Sequence, residues 1–229
     1  MNRSIWLLGL SLAALASASG GADARRAQKP APDPLAKIEH IVVIYDENRS
    51  FDNLYGMYPG ADGIVRSIAP VGGLVYAGGD FVNAGGAARQ RVVELDAVTG
   101  SASSWNPVVS APVNVVLPAG QHVYLGGTFT NIGTSLRYGL AEIAVGSDQA
   151  TDWNPTADNL VNAMALGTNV YVGGAFTGVG GATRLKIAEV RADSGKVTPW
   201  NPGENASGGV NALLVNGGSP ASIAYSTQP

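Results

Sequence analysis

Hydrophobic and polar positions alternate along most of this chain in short runs separated by turn residues. In one stretch the runs cover residues 113–117, 121–129, 138–145 and 150–153. Each run is rich in β-branched or aromatic residues, and the residues between them include glycine, proline, serine and aspartate. Such runs are typical of short β-strands joined by turns. The pattern therefore predicts four strands within roughly 45 residues.

The same arrangement recurs three times and begins a fourth time. Four markers keep one register at steps of 48 and 47 residues. These markers are the strand V-Y-x-G-G-x-F at 75–81, 123–129 and 170–176; Arg89, Arg137 and Arg184; Glu94, Glu142 and Glu189; and W-N-P at 105–107, 153–155 and 200–202. A period of this size signals a solenoid, a propeller or an array, and four strands per period match one propeller blade.

The combination V-x-A-[LM], V-Y-[AVL]-G-G-x-F, G-G-x-x-R and W-N-P resembles the delta-type β-propeller repeats of secreted bacterial proteins, over about residues 64–218. The resemblance implies an all-β fold and an extracellular setting. The predicted architecture is an incomplete β-propeller of three roughly 48-residue, four-stranded blades plus the start of a fourth at 210–215. Because propellers usually close with ~4–8 blades, we expect open blade edges and self-association through them. The markers stop after Gly218, so 219–229 is predicted to be a tail outside the repeat register.

Residues that recur in every blade are expected to serve the fold, because a catalytic group normally occurs once. Trp105, Trp153 and Trp200 are therefore predicted to be core anchors between blades, with a row of sugar- or peptide-stacking rings as the alternative. The equivalent phenylalanines are interpreted in the same way. Each arginine marker precedes its glutamate by five residues. We interpret each couple as a structural ion pair or as hydrogen-bonding partners between strand and loop.

The N-terminus has the pattern of a secretory signal peptide over residues 1–24. Arg3 precedes the apolar run 5–15, and small residues with two candidate cleavage sites follow. This run is too short to span a membrane, so the chain is predicted to be secreted or periplasmic, with no membrane span after cleavage. An uncleaved anchor is the alternative, because Arg25 and Arg26 follow the apolar run. Residues 25–36 are predicted to be an extended, proline-containing linker.

The composition excludes some classes of partner and site, but it indicates less about the function than the repeat does. Hydrophobic residues make up 45% of the 229 positions and charged residues 14%, which suits a chain that buries a core. A formal net charge of -3 with scattered signs argues against nucleic acid as a partner. The chain contains no cysteine, which excludes disulfides and thiolate metal sites.

A different pattern precedes the repeats, at 37–63. The apolar run 41–44 is interpreted as a strand of a parallel sheet that is buried on both faces. The polar segment E-N-R-S-F-D follows it at 47–52. These residues resemble the start of the bacterial phosphoesterase family that includes secreted acid phosphatases and phospholipases C. The resemblance implies a short α/β-type fragment in which Glu47 and Asn48 bind a divalent metal cofactor. Carboxylate and amide oxygens suit such a cation.

The resemblance assigns no catalytic residue here, because the family's nucleophile and further ligands come from later in an α/β domain. Two ligands are too few for a catalytic metal centre. His122 takes the place of Leu74 and Asn169 in the other copies, so it is expected to be a surface strand residue.

Three hypotheses for function follow from these patterns. The first is a secreted, non-catalytic β-propeller-type repeat module for binding or cell-envelope interaction, with an unknown ligand or protein partner. The second is a metal-dependent phosphoesterase of the acid phosphatase or phospholipase C type, represented by its N-terminal motif. The third is a fusion of parts of two unrelated genes with no function of its own.

Overall fold

The described part of the chain consists of β-strands, turns and loops. The structure is a computed structural model that describes residues 62–203, 208–216 and 222–227. All described residues lie in one compact unit of the chain. The described ranges contain no helix, and therefore no helix that is long and apolar enough to cross a membrane.

Three antiparallel sheets of three strands form the repeated units, which we call blades 1, 2 and 3. Blade 1 contains β1 (Ile64–Val71), β2 (Leu74–Asp80) and β5 (Val92–Asp96); blade 2 contains β6 (Val113–Ala119), β7 (His122–Gly127) and β10 (Leu140–Ala144); blade 3 contains β11 (Val161–Leu166), β12 (Val170–Gly174) and β15 (Ile187–Val190). In each blade the strands pair in chain order, with the second strand in the middle. The prediction of an all-β fold with repeated, blade-like sheets is confirmed.

Each blade also carries a two-stranded hairpin of two residues per strand. The hairpins are β3 (Asn83–Ala84) with β4 (Ala87–Ala88), β8 (Asn131–Ile132) with β9 (Ser135–Leu136), and β13 (Gly178–Val179) with β14 (Ala182–Thr183). They lie between the second and third strands of their blades. In blades 1 and 3 the turn consists of two glycines with left-handed backbone, for example Gly180 and Gly181 with φ of 59° and 76°.

The fourth strand predicted for each blade is shorter than the sequence pattern indicates. In blade 2 the expected strand at 150–153 is reduced to one bridge between Ile143 and Ala150. Blades 1 and 3 show the equivalent bridges Leu95–Ala102 and Val190–Val197. The W-N-P segment follows within a few residues, and its proline cannot donate a ladder hydrogen bond.

The first strands of successive blades lie side by side. β1 contacts β6, β6 contacts β11, and β11 contacts β16 (Val210–Asn216). Each first strand has the same register shift, at Val65/Ser67 in blade 1 and at Val113/Val115 in blade 2, which indicates a β-bulge at one conserved place in the repeat. A succession of neighbouring inner strands is the arrangement expected for propeller blades.

The fourth unit continues further than the sequence markers do. β17 (Ser222–Thr227) pairs with β16 in the antiparallel register of the other blades, including the shift at Val210/Ala212. Five residues, 217–221, join the pair, whereas two join β1 to β2. Part of the segment 219–229, which we expected to lie outside the repeat, therefore forms the second strand of the fourth unit.

The paired glycines of V-Y-x-G-G are required by close approaches on both sides of the strand. A Cβ on Gly126 would lie 2.8 Å from Val161 Cγ1 in blade 3, and a Cβ on Gly127 would lie 2.3 Å from Pro112 O. The absence of a side chain at Gly126 thus lets blade 3 pack closely against the strand. At Gly127 it lets the backbone that leads into β6 approach. Neither needs a left-handed backbone, so contact rather than conformation selects glycine here.

Apolar side chains of adjacent blades form the cores between them. Phe81, Phe129 and Phe176 recur at one repeat position and are at most 2% exposed, which confirms their predicted role as core residues. The core between blades 1 and 2 joins Tyr76 and Trp105 of blade 1 to Val116 and Leu125 of blade 2. Burial of apolar surface is thus the force that places one blade against the next.

Candidate functional site

The metal ligands predicted from the sequence, Glu47 and Asn48, lie outside the described residues. The assignment of these two residues as metal ligands therefore stays a prediction. Across 62–203, 208–216 and 222–227, no group of three or more histidine, aspartate or glutamate side chains is placed to hold a metal ion.

A hydrogen-bonded cluster recurs in every blade, which we call the blade cluster. Its members are Tyr76, Arg89, Glu94, Ser103 and Trp105 in blade 1; Tyr124, Arg137, Glu142, Thr151 and Trp153 in blade 2; and Tyr171, Arg184, Glu189, Thr198 and Trp200 in blade 3. In blade 3, Tyr171 Oη donates to Glu189 Oε1 at 2.9 Å, and Thr198 Oγ1 donates to Glu189 Oε2 at 2.5 Å. The backbone N–H of Trp200 then donates to Thr198 Oγ1 at 3.2 Å.

The arginine and glutamate of each cluster meet through a third residue. Arg137 Nη2 donates to the backbone carbonyl of Thr151, and the Thr151 hydroxyl donates to Glu142 Oε2 at 2.5 Å. Within the described ranges no salt bridge joins an arginine marker to its glutamate. Arg137 and Glu142 are thus linked indirectly through Thr151, and neither the predicted ion pair nor a direct hydrogen bond between them is found in this part of the structure.

Burial and hydrogen bonding shift the pKa values of this cluster. Burial and the neighbouring glutamates raise the pKa of Tyr76 and of Tyr124 well above the ordinary tyrosine value. Burial alone would raise the pKa of Glu189, but hydrogen bonds from Asn169, Thr198 and Tyr171 outweigh it and leave that pKa below its ordinary value. The glutamate is therefore a charged acceptor with its donors in place, which is a structural role.

The tryptophans connect consecutive blades, as predicted. Trp105 and Trp153 are 5% and 4% exposed, and their indole N–H groups donate to backbone carbonyls of the following blade, Ser147 O at 2.8 Å and Arg191 O at 3.0 Å. Each ring also meets its own blade's tyrosine edge-on, with centroids 5.6 Å apart for Tyr76 and Trp105. Rings held in this way are not available as a stacking row, which rules out that alternative for blades 1 and 2. Trp200 is half-buried.

His122 lies on a strand surface, as expected, and extends the blade 2 cluster. Its side chain is 47% exposed, and Nδ1 lies 3.2 Å from Oε1 of the buried Glu142. In blade 3 Asn169 fills this place and donates to Glu189 Oε1 at 2.9 Å. The histidine thus makes the contact that an asparagine makes in the next blade, and its role is interpreted as structural.

One opening in the described surface lies where blade 2 meets blade 3. This cleft has a volume of about 660 Å³, within the range of ~300–1,000 Å³ for ligand sites. Its lining consists of Tyr138, Thr156, Ala157, Asp158, Thr177, Gly178, Gly180, Gly181, Ala182 and Thr183. Tyr138 comes from the loop before β10, Thr156 to Asp158 from the loop before β11, and the remainder from the β13–β14 hairpin. We call this opening the junction cleft.

Backbone hydrogen bonds hold the walls of the junction cleft together. Ala157 N donates to Tyr138 O at 2.8 Å, and Gly180 N donates to Thr156 O at 3.0 Å. Asp158 Oδ1 accepts from Thr177 N at 2.8 Å, and Asp158 Oδ2 accepts from Thr177 Oγ1 at 2.6 Å. Burial would raise the pKa of Asp158, but its hydrogen bonds with Thr177 outweigh this and lower it. The cleft therefore contains an ionised carboxylate with a defined orientation.

One residue of the cleft has an unfavourable backbone conformation. Thr156 has φ of 52°, in the left-handed region that β-branched residues rarely adopt. The equivalent position of the next repeat is Gly203, which adopts φ of 68° without a Cβ penalty. Strain of this kind concentrates at functional sites.

The junction cleft combines residues in which the repeats differ with residues that recur. Tyr138, Thr156 and Thr183 occupy positions held in the preceding repeat by Gln90, Val108 and Leu136, whereas Thr177 recurs as Thr130 and Asp158 recurs as Asp62 with an equivalent backbone contact. Sequence reasoning concentrated on markers shared by all copies and missed this set. The available signal was the opposite one, the presence of Tyr138, Thr156 and Thr183 in a single copy.

Comparison with known proteins gives one partial family match. The phosphoesterase family matches residues 38–113, about one third of the chain. This match extends beyond the predicted fragment 37–63 and includes blade 1, whose strands and register agree with those of blades 2 and 3. No curated protein matches the sequence. Among solved structures, the crystal structure of the computationally designed Ika4 protein is similar, with 14% identity, a TM-score of 0.47, and coverage of 72% of this chain and 92% of Ika4.

Proposed function

We propose that this chain is an exported β-propeller-type repeat module that binds a component of the cell envelope without catalysing a reaction. The observation that supports it most is that the residues that hold the blades together differ from the residues that line the open cleft. Repeated residues such as Trp153 and Glu189 are engaged in holding the blades together. Three residues found in one copy alone, Tyr138, Thr156 and Thr183, line the open junction cleft.

Export remains part of the proposal, and it rests on the signal-peptide pattern of residues 1–24. It can be tested by expressing the full chain in a bacterium and determining the mass of the protein recovered from periplasm and medium. Removal of the first 18 or 24 residues would support export. Recovery of the intact chain from the cytoplasm alone would contradict it.

The binding function can be tested by sedimentation with insoluble envelope material. Purified protein is mixed with peptidoglycan or with outer-membrane fragments, and the bound fraction is measured against protein concentration. We expect saturable binding that survives addition of EDTA, because the proposed surface uses no metal ion. The proposal would be ruled out if neither peptidoglycan nor outer-membrane fragments bound a larger fraction of this protein than of serum albumin.

A phosphoesterase activity is the second candidate, and the family match over 38–113 favours it. In this candidate Glu47 and Asn48 bind a divalent cation that activates a phosphate ester. The test is release of nitrophenol from p-nitrophenyl phosphate as Mg²⁺, Ca²⁺ or Zn²⁺ is added. The activity should be lost in Glu47→Ala and kept in Asp152→Ala, a control at an exposed carboxylate. Metal-independent release, or equal activity in both variants, would eliminate this candidate.

A further inference from the structure

The junction cleft combines one accessible aromatic ring with several hydroxyl groups and one carboxylate. Tyr138 is 48% exposed, while the tyrosines of the blade clusters are at most 7% exposed. Thr156, Thr177 and Thr183 provide hydroxyl groups, and Asp158 provides an oriented acceptor. An amphipathic ring beside directional hydrogen-bonding groups suits a ligand with an apolar face and a polar rim.

The same lining argues against other classes of ligand. No lysine, arginine or histidine is among the described lining residues, so the carboxylate of Asp158 would repel phosphate or any other anion. The cleft contains a single carboxylate, whereas a divalent cation takes about six to eight oxygen ligands. An apolar peptide anchor would find little to contact besides Tyr138, Ala157 and Ala182.

We infer that the junction cleft is a binding site for a neutral saccharide, in which the apolar face of one pyranose ring stacks on Tyr138 and the ring hydroxyls donate to Asp158. The hydroxyls of Thr156 and Thr183 complete the polar contacts, because each can both donate and accept, while Thr177 Oγ1, which donates to Asp158, can accept. The glycines 180 and 181 form a wall without side chains, which lets the sugar approach the backbone. This inference rests on the proposed binding function and specifies its ligand.

A second, smaller opening continues the site along the blade junction. It has a volume of about 190 Å³ and shares Tyr138, Ala157 and Asp158 with the junction cleft. Thr128, Thr130 and Asn159 add further polar groups on this side. Two openings that share one aromatic residue fit consecutive units of an oligosaccharide. We therefore expect a disaccharide or longer oligosaccharide to bind more tightly than its monosaccharide.

The inference can be tested by isothermal titration of the full protein with neutral oligosaccharides of glucose, mannose and N-acetylglucosamine. The principal variant is Tyr138→Gln, which introduces the residue found at the same repeat position of blade 1, Gln90. The variant is thus compatible with the repeat, and it removes only the stacking surface. Leu136→Ala is the control, because Leu136 is 56% exposed on the neighbouring β9 and does not line the cleft.

We expect at least one neutral oligosaccharide to bind, with at least a tenfold loss of affinity in Tyr138→Gln and less than a twofold change in Leu136→Ala. Inorganic phosphate at the same concentration should not bind. Failure of every neutral oligosaccharide at 10 mM, or equal affinity of wild type and Tyr138→Gln, would overturn the inference. Saturable envelope binding that is undiminished in Tyr138→Gln would overturn it as well, while leaving the proposed binding function intact.

Discussion

The indole N–H of Trp153 in blade 2 donates to the backbone carbonyl of Arg191 in blade 3, at 3.0 Å. Trp105 makes the same bond one repeat earlier, to Ser147 O at 2.8 Å. The bond crosses from one blade to the next, so a residue that recurs every 48 or 47 positions stabilises an interface rather than a single sheet. Stability of such a chain therefore depends on interfaces between neighbours.

Replacing Trp153 by phenylalanine tests this relationship. The variant keeps an aromatic ring but loses the donor and part of the buried volume, and a lost hydrogen bond costs ~0.5–1.5 kcal/mol before any cavity is counted. We expect Trp153→Phe to lower the free energy of unfolding by about 1–2 kcal/mol, measured by urea denaturation. Trp200→Phe is the comparison, because Trp200 is only half-buried. Equal losses at both positions would contradict the assignment.

The paired glycines give a second test, based on packing alone. Gly127→Ala would place a Cβ 2.3 Å from Pro112 O, a backbone atom that cannot move without shifting the strand. Overpacking typically costs ~1–3 kcal/mol, and we expect Gly127→Ala to reach the upper part of that range. Gly73→Ala is the control, since nothing lies within 4 Å of its added methyl group. A melting temperature unchanged in Gly127→Ala would show that the backbone contact has been misjudged.

The sequence predicted the features that recur and missed those that do not. Glycine, tryptophan and phenylalanine recur because every blade needs the same close approach and the same anchor, so their period identified the fold. β17 escaped prediction because 222–227 lacks the V-Y-x-G-G marker and comes five residues after β16, although its backbone pairs as in the other blades. Tyr138 and Thr156 were missed because their importance depends on which loops meet in space, and spacing along the chain does not contain that information.

The blade 3 cluster predicts a specific dependence of stability on pH. The folded pKa of Glu189 lies below its ordinary value of 4.5, so the folded state binds fewer protons than the unfolded state near that pH. Stability from this group is present above pH 4.5 and decreases as the pH falls through the folded pKa. We expect Glu189→Gln to be less stable than wild type at pH 7, and the difference to shrink below pH 4.5.

Urea unfolding at pH 7, 5, 4 and 3 provides the measurement, and the quantity of interest is the difference between variant and wild type. Other carboxylates with lowered pKa values, such as Asp96 and Asp158, contribute equally to both proteins and cancel. Asp152→Asn serves as the control, because this exposed carboxylate has no hydrogen-bond partner in the described structure. A Glu189→Gln difference that stays constant from pH 7 to pH 3 would refute the linkage.

The strained residue of the junction cleft yields a prediction in which stability and binding change in opposite directions. Thr156 adopts φ of 52°, and a left-handed backbone costs a residue with a side chain ~1–2 kcal/mol, while glycine adds ~0.5–1 kcal/mol of chain entropy. Thr156→Gly, which introduces the residue found at Gly203, should therefore raise the free energy of unfolding by about 0.5–1 kcal/mol. The same variant removes one hydroxyl group from the cleft, so its saccharide affinity should fall while its melting temperature rises.

Thr177→Val separates the two effects. It also removes a cleft hydroxyl group, but it loses the hydrogen bond to Asp158 and relieves no backbone strain. A Thr156→Gly variant that is less stable than wild type would show that the threonine side chain, rather than strain, dominates at this position.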